Sequence, residues 1–399
     1  MLRSGSICVS FLYNYLLTSE NTAGNETLKA KHTKLKCLSD TFASYGGVLA
    51  KLSQILCLDD GKGEVFSECK PYCQEETIKS FKEEVENNPE FFKNVIIDFN
   101  VFKSGSVGQV HKAIYKGNSE DEEIIIKVQY VGLHEQFKND IFILDNVAKY
   151  LFYFSDLSSA MTDIKTKLYD ELNYTLEYEN QKKVYDIWKD NKNICIPELI
   201  PEFCTDNLLA MRYIEAENLS SFIDESTQEQ RNNIGMYIFE FIFTNFYKHG
   251  IFYSDIHYGN FLIKDKSILY VTDFGCINDI SEDFRSKILT LHRAILHKNE
   301  DAFYEIVKDI GILKDDISIE SKEYMYEYFK LQYIPWTEED FEFTQELTQK
   351  FMYKNPELMK EWVLPNDCVY LNKIPFGLFH LLNKLKAKCN FKKFFDDIL

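Results

Sequence analysis

Two aspartates and an asparagine in the second half of the chain have the types and the order that phosphoryl transfer requires. Asp255 and Asn260 belong to one polar loop, and Asp273 begins an Asp-Phe-Gly sequence farther along. Carboxylate and amide oxygens are the ligands that Mg²⁺ prefers, and a carboxylate can accept the proton of an attacking hydroxyl group. We therefore predict that Asp255 is catalytic and that Asn260 and Asp273 bind Mg²⁺. A tight turn capped by an aspartate is the alternative for Asp273 taken alone.

A lysine and a glutamate upstream fit the same chemistry. Lys127 lies in a β-branched run that predicts a strand, and an inward-facing charge there needs a partner. Glu177 is the best candidate on a helix predicted over residues 163–188, where Glu171 and Glu179 compete with it. We predict that Lys127 contacts nucleotide phosphates and that Glu177 holds it in place, so both residues belong to the catalytic set. The alternative is an edge-strand lysine that reaches solvent.

A loop rich in small residues precedes the second predicted strand, and its backbone N–H groups can approach phosphate oxygens. By itself this pattern predicts only a hairpin turn, and the downstream residues favour a nucleotide, ATP or ADP, as its ligand. The predicted nucleotide-binding residues are Ser104, Gly105, Ser106, Gln109, Lys127, Met211 and Tyr213.

The elements that position these residues are predicted from hydrophobic periodicity. Residues 1–95 predict helices, and residues 102–130 predict three antiparallel strands followed by long helices. An apolar helix ends at Gly250, a residue type that commonly terminates helices, and leads into the loop of Asp255. Two short strands come next, and everything after residue 279 is predicted to be helical. The catalytic residues are thus expected in loops at strand ends.

The composition excludes several classes of function. A net charge of −18 over 399 residues argues against a nucleic-acid-binding protein, because phosphate backbones need a basic face. Cys69 and Cys73 form a close pair among ten cysteines, but no second pair with zinc-ligand spacing accompanies them, which favours intracellular free thiols. No apolar run is long enough to span a bilayer. Residues 6–17 predict a core helix rather than a targeting peptide.

In their order, these motifs resemble those of the UbiB family of atypical kinases, also called aarF-domain-containing or ADCK-type kinases. The resemblance covers residues 30–395. It rests on Lys51 and Gln54, the segment 106–111, Lys127, Glu171 and Glu177, Asp255 with Asn260, Asp273, and a C-terminal segment at 370–379.

The resemblance implies an α+β, bilobal protein-kinase-like fold with a helical N-terminal extension and a mostly helical C-lobe. Residues 1–95 would form the extension, 96–215 an N-lobe with inserted helices, and 216–399 a C-lobe with the catalytic and metal-binding loops. Lys51 and Gln54, together with Glu171, would belong to the extension motif that lies over the site. The resemblance implies the same roles that were predicted above for the other site residues, which are Lys127, Glu177, Asp255, Asn260 and Asp273. It also implies ATP and Mg²⁺ as ligands. Family members are linked to coenzyme Q and other isoprenoid-lipid metabolism, as ATPases or small-molecule kinases.

Several residues depart from the family pattern, and none of them removes a metal ligand. The departures are Ser53 for a glycine, Asn173 for an acid, the segment 103–106 for an alanine-rich loop, Tyr253 for a histidine, and Ile256 and Tyr258 for proline. Gly105 relaxes the backbone of its loop, which makes the loop more like that of ordinary kinases.

Three functions are compatible with these residues. The first is an active phosphotransferase or ATPase, because Lys127, Asp255, Asn260 and Asp273 are all present. The second is a nucleotide-binding pseudokinase, a scaffold or regulator without turnover, which the changes at positions 53 and 173 keep open. The third is a small-molecule kinase of the aminoglycoside-phosphotransferase kind, which lacks the N-terminal extension motif and therefore ranks lower.

A peripheral membrane or lipid contact is a further hypothesis for the C-terminal helix. Its apolar face carries Leu378, Leu381, Leu382 and Leu385, and the lysines nearby are Lys384, Lys386, Lys388, Lys392 and Lys393. Such a pattern is typical of an amphipathic helix at an anionic membrane. The favoured alternative is a helix packed on the large lobe with solvated lysines.

Overall fold

The computed structural model describes residues 75–105, 107–117, 120–139, 141, 169–170, 172–352, 355–363, 365, 368 and 373–396. Several predictions lie outside these residues. They concern the helices before residue 75, Lys51, Ser53 and Gln54, the Cys69–Cys73 pair, Ser106, Glu171, and most of the helix predicted after Leu133.

The helices and strands are numbered in chain order. The strands are β1 (Val95–Ser104), β2 (Gly108–Lys116), β3 (Asp121–Gln129), β4 (Ile194–Cys195), β5 (Leu208–Arg212), β6 (Glu217–Asn218), β7 (Ile251–Tyr253), β8 (Phe261–Lys264), β9 (Ile268–Val271), β10 (Ile277–Asp279), β11 (Phe341–Glu342) and β12 (Lys388–Cys389). The helices are α1 (Glu75–Asn87), α2 (Tyr174–Trp188), α3 (Leu219–Glu225), α4 (Gln228–His249), α5 (Glu282–Leu296), α6 (Glu300–Ile310), α7 (Ile319–Tyr333), α8 (Gln345–Met352), α9 (Pro356–Met359), α10 (Lys373–Leu385) and α11 (Phe391–Asp396). Short 3₁₀ helices cover Pro201–Phe203, Tyr258–Asn260 and Ile334–Trp336.

The described residues form two compact units. Unit one comprises the residues up to Glu179 together with Glu198–Tyr213, and unit two comprises Asn180–Pro197 and the residues from Ile214 onward. The first turns of α2 therefore belong to unit one and its remainder to unit two. The domain boundaries expected from the sequence stay a prediction.

Unit one is built on a four-stranded antiparallel sheet in the order β1-β2-β3-β5. The three strands predicted after the N-terminal helices are present, and α1 covers one face of the sheet, where Phe81 packs with Ile124 and Ile126. Because β3 pairs on both sides, Lys127 does not lie on an edge strand, and the edge-lysine alternative is wrong.

The helix predicted over residues 163–188 is interrupted, so that prediction is wrong at its start. Residues 169–170 are helical, but α2 begins only at Tyr174. The side chain of Asn173 accepts the backbone N–H of Leu176 at 3.0 Å, which is the bond of an N-cap. An asparagine side chain competes with helical hydrogen bonds in a helix interior and favours a helix start.

Unit two is mostly helical around α4. Thr227 and Gln230 form a capping box at the start of α4, and Gly250 ends it in the left-handed conformation at φ 63°. The predicted glycine stop is confirmed. The helix is buried on several faces and packs with α10, α11 and β7 in one large core.

Short strands frame the loops of unit two. One sheet has the order β4-β9-β8-β6, and β7 pairs with β10 in a separate two-stranded ladder. A further pair, β11 with β12, joins two segments near the C-terminus. The expectation that everything after residue 279 is helical is therefore wrong at these two short strands.

The leucine face of α10 is buried in the core of unit two. The side chains of Leu378, Leu381, Leu382 and Leu385 are all shielded from solvent. This packing corrects the membrane hypothesis for that face, because a buried leucine row is not available to a bilayer. No helix among the described residues is both long and apolar enough to cross a membrane.

The packing of α4 on the segment after α10 yields a stability prediction. A Cβ added at Gly235 would lie 2.5 Å from the Cβ of Ala387, closer than carbon atoms can approach. We expect Gly235→Ala to lower the free energy of unfolding by about 1–2 kcal/mol, because overpacking outweighs the better helix propensity of alanine. Adding Ala387→Gly should restore most of the loss in chemical denaturation. If Gly235→Ala alone were as stable as the wild type, the close packing of Gly235 on Ala387 would be contradicted.

Candidate active site

Lys127 and Glu177 form a largely buried ion pair in unit one. The Nζ–Oε1 distance is 2.6 Å, and the two side chains are 20% and 5% exposed. Glu177 lies in the first turn of α2, where the helix dipole favours a negative charge. Of its two competitors, Glu179 is exposed and Glu171 lies outside the described residues. The predicted pair is therefore formed, and the catalytic roles of its two members stay predictions.

Tyr174 packs beside this ion pair and was not identified from the sequence. Its ring centre lies 5.5 Å from Lys127 Nζ, within the range of a cation–π contact. A Cβ at Gly108 would lie 2.5 Å from the Tyr174 hydroxyl oxygen, so only glycine fits there. In the sequence, an aromatic residue at a helix start predicts only a core position. The requirement for glycine at position 108, opposite the Tyr174 hydroxyl, is the feature that identifies Tyr174 as part of the site.

The small-residue loop between β1 and β2 is a closed hairpin turn. The Gly105 N–H donates to the Gly108 carbonyl at 2.8 Å, and the Tyr130 hydroxyl donates to the Gly105 carbonyl at 3.1 Å. Both main-chain groups of Gly105 are thus used within the protein. Ser104 ends β1 and pairs with Gln109 of β2, so both residues lie in the strands beside the turn rather than in the loop, and their contact with a nucleotide stays a prediction.

The side chain of Gln109 faces away from Lys127, and its predicted contact with a nucleotide stays a prediction. In β2, Val110 is the residue paired with Lys127, and neighbouring residues of a strand face opposite sides. Gln109 is fully buried on the other face, where its Nε2 lies 3.0 Å from His111 Nε2. His111 Nδ1 lies 3.2 Å from the Asp98 carbonyl, and burial lowers the pKa of the imidazole.

Met211 and Tyr213, the other predicted nucleotide contacts, lie at the end of β5. Met211 is buried and packs with Tyr174 on the sheet face that carries Lys127. The Tyr213 ring contacts the Phe102 ring edge-on at 5.7 Å. It also lies under the Lys112 ammonium group, which is 3.8 Å from its ring centre. Their contact with a nucleotide stays a prediction.

In unit two, Asn260 is tied to Asp255 by its amide nitrogen. Asn260 Nδ2 donates to Asp255 Oδ2 at 2.9 Å and to the Asp255 carbonyl at 3.1 Å. The 3₁₀ turn Tyr258–Asn260 brings the two residues together. Since the nitrogen faces Asp255, the carbonyl oxygen of the amide is the atom that can bind a cation.

The β8–β9 hairpin places Asp273 beside Asn260. Phe261 pairs with Val271, and just beyond them the Thr272 N–H donates to the Asn260 carbonyl at 2.9 Å. Asp273 follows directly, is exposed, and adopts a left-handed conformation at φ 70°. The structure thus brings together Asp255, Asn260 and Asp273, the three residues from which the sequence predicts phosphoryl-transfer chemistry.

Tyr253, known from the sequence only as a departure from a family histidine, supports this turn. Its ring is buried, and its hydroxyl lies 3.1 Å from the Asp273 carbonyl and 3.3 Å from the Thr272 carbonyl, to which it donates. Burial raises the pKa of the phenol well above its ordinary value, and the nearby charges of Asp255 and Asp273 raise it further. The hydroxyl therefore keeps its proton, and with it the ability to donate, throughout the neutral range.

The chemistry of this set fits Mg²⁺. Two carboxylates and an amide oxygen are hard ligands, and the exposed Asp273 carboxylate is open to solvent. No group of three or more histidine, cysteine, aspartate or glutamate side chains suited to a metal occurs among the described residues. The predicted metal ligands, Asn260 and Asp273, supply an amide oxygen and a carboxylate.

A comparison with family models identifies the fold and agrees with the motifs. Residues 64–307, more than half of the chain, match the model of the ABC1 atypical kinase-like domain. The resemblance found in the sequence motifs is thereby confirmed.

Several curated proteins similar to this chain carry kinase names. The chain is 27% identical to the probable serine/threonine-protein kinase abkB of Dictyostelium discoideum over 317 residues, 72% of this chain and 46% of that protein. It is 23% identical to the mitochondrial atypical kinase COQ8 of Saccharomyces cerevisiae over an alignment of 414 positions, gaps included, which covers 95% of this chain and 80% of that protein. The chain spans less than half of the length of the first curated relatives that it matches.

A solved structure shares the fold. The structure of Rv3197 from Mycobacterium tuberculosis in complex with erythromycin matches with a TM-score of 0.67 and 20% identity. The match covers 90% of this chain and 93% of that one. The predicted kinase-like fold of mixed helices and strands is confirmed, and an identity this low carries nothing about ligands.

Proposed function

Because the chain belongs to the ABC1 atypical kinase-like family, we propose that it binds ATP with Mg²⁺ and acts as a phosphotransferase or ATPase. The observation that carries the proposal is the arrangement of Asp255, Asn260 and Asp273. The amide nitrogen of Asn260 is held by Asp255, and its main-chain carbonyl is tied to the residue before Asp273. That arrangement orders oxygen ligands next to a carboxylate able to take a proton.

Each residue has one task in this proposal. Lys127, oriented by Glu177, donates to nucleotide phosphates in unit one. In unit two, Asn260 and Asp273 hold the metal, and Asp255 accepts the proton of the attacking hydroxyl group or water. Bound Mg²⁺ would supply positive charge against the charge that develops on the transferred phosphoryl group. From the family resemblance, we infer that the protein acts in isoprenoid-lipid or coenzyme Q metabolism.

Nucleotide binding is tested by thermal shift with Asp273→Asn. We expect Mg-nucleotide at about a hundred times its Kd to stabilise the wild type by about 2.7 kcal/mol, and the variant to lose most of this effect. Asp265→Asn is the matched control, because Asp265 also has a positive φ, of 52°, in the turn between β8 and β9. Equal shifts in wild type and Asp273→Asn would contradict the metal role.

Phosphate release separates the enzyme from its alternative. Release by the wild type, with or without detergent or lipid, supports turnover. Nucleotide binding without any release supports the nucleotide-binding scaffold or regulator instead. Asn173, one of the changes that kept this alternative open, has a structural task as the N-cap of α2.

A further inference from the structure

The turn that carries Asp273 is held by side chains at consecutive main-chain carbonyl groups. The Tyr253 hydroxyl lies within donating distance of the carbonyls of Thr272 and Asp273. Asn180 Nδ2 donates to the next carbonyl, that of Phe274, at 3.0 Å. Asn180 belongs to the part of α2 that lies in unit two, and it was not among the residues predicted from the sequence.

The bond from Asn180 fixes the orientation of one peptide group. The Phe274 carbonyl and the Gly275 N–H belong to the same planar peptide, so they point in opposite directions. With the carbonyl held by Asn180, the Gly275 N–H is directed to Asp273 Oδ1, at 3.3 Å. The Asp273 carboxylate is thereby held by one of its two oxygens.

The peptide between Phe274 and Gly275 is able to change its orientation. Gly275 lacks a Cβ, so its backbone tolerates both orientations of the preceding peptide. The Phe274 ring is fully buried and anchors the turn on the other side. Asp273 itself is in the left-handed region, which a non-glycine residue occupies only when its surroundings hold it there. Without a donor at the Phe274 carbonyl, rotation of the peptide would remove the N–H from the carboxylate.

We propose that Asn180 is a positioning residue for Asp273, acting through the peptide between Phe274 and Gly275. It contacts neither nucleotide nor metal in this proposal. Its task is to keep one Asp273 carboxylate oxygen on the Gly275 N–H, so that the other is presented to a divalent cation. The identity of that cation rests on the function proposed above.

Two variants and one control test this role. Asn180→Asp keeps the shape of the side chain but replaces the N–H donor by an oxygen, and Asn180→Leu removes all polarity. Lys183→Gln is the control, because Lys183 lies one turn farther along α2 and pairs with the exposed Asp279 instead. Nucleotide affinity is measured by titration with and without Mg²⁺. Hydrogen exchange of the Gly275 amide is measured in the nucleotide-free protein.

We expect both Asn180 variants to lose about tenfold in Mg²⁺-dependent nucleotide affinity, since one hydrogen bond contributes about that factor. Affinity without Mg²⁺ should stay unchanged, and the Gly275 amide should exchange faster, while Lys183→Gln matches the wild type. Equal losses with and without Mg²⁺ would indicate a merely structural role and overturn the proposal, as would unchanged exchange at Gly275. If the wild type itself shows no Mg²⁺-dependent nucleotide binding, the proposed function fails, and the exchange result alone decides about Asn180.

Discussion

Lys127→Met is expected to lower the free energy of unfolding by about 3 kcal/mol and to abolish nucleotide binding. Glu177 is 5% exposed and lies 2.6 Å from the lysine amine. The substitution leaves its carboxylate buried without the ammonium group, and a buried charge that loses its counter-charge is strongly unfavourable. The same change removes the donor proposed for the phosphates. Urea denaturation measures the first effect, and nucleotide titration measures the second.

A double substitution separates these two effects. In Lys127→Met with Glu177→Leu, both charges are replaced by apolar groups, which commonly restores stability. We expect the double variant to regain most of the free energy of unfolding without regaining nucleotide binding. Lys116→Met is the matched control on β2, because its pair with Asp121 is about half exposed and should contribute less than about 1 kcal/mol. A double variant no more stable than the single one would contradict the buried-charge argument.

The parts of the fold that were predicted correctly depend on short-range patterns. The β-branched run around Lys127 predicts a strand, and the apolar helix with a following glycine predicts α4 and its end at Gly250. The loop of Asp255 and Asn260 lies between β7 and β8, and of these two strands only β8 was predicted from its local pattern. Each of these patterns extends over only a few helical turns or strand residues, so the local sequence is sufficient to predict the element.

Gln109 shows what local pattern does not determine. Whether a strand residue faces Lys127 or the opposite side depends on the pairing register, and a shift of one residue exchanges the two faces. Here the register is fixed by the pairing of Val110 with Lys127, while β1 has irregularities on either side of Val101. The motif around Gln109 identifies the loop, but only the sheet shows which side chains face the lysine.

Asn180 and Tyr253 illustrate a second limit. Both donate to main-chain carbonyls of the Asp273 turn, and a main-chain acceptor leaves no trace in the sequence because every residue type supplies one. Pairs of opposite charge, such as Lys127 and Glu177, can be matched by residue type. Contacts from a side chain to the backbone can be found only when the two segments are seen together.

Asp255→Asn is expected to lower the rate of phosphate release by about 10³-fold, within the range that general base catalysis contributes. An amide of the same shape cannot take the proton of an attacking hydroxyl group. Asn260 Nδ2 can still donate to the Asp255 main-chain carbonyl, and to the oxygen of the new amide, so the loop should keep its conformation. Affinity for Mg-nucleotide should therefore change by less than about threefold, because Asn260 and Asp273 are the proposed metal ligands.

Comparing the rate of phosphate release with the affinity for Mg-nucleotide distinguishes a base from a metal ligand at position 255. Single-turnover phosphate release and nucleotide titration are compared for Asp255→Asn, Asp273→Asn and the control Asp279→Asn, whose carboxylate is exposed at the end of β10. Asp273→Asn should lose affinity, Asp255→Asn should lose rate, and the control should lose neither. A large loss of Mg-nucleotide affinity in Asp255→Asn would instead assign Asp255 to the metal. The Asp255 carboxylate accepts a hydrogen bond from the Asn260 side chain, so the two residues are already adjacent. That result would therefore make Asp255, Asn260 and Asp273 one set of metal ligands without a separate base.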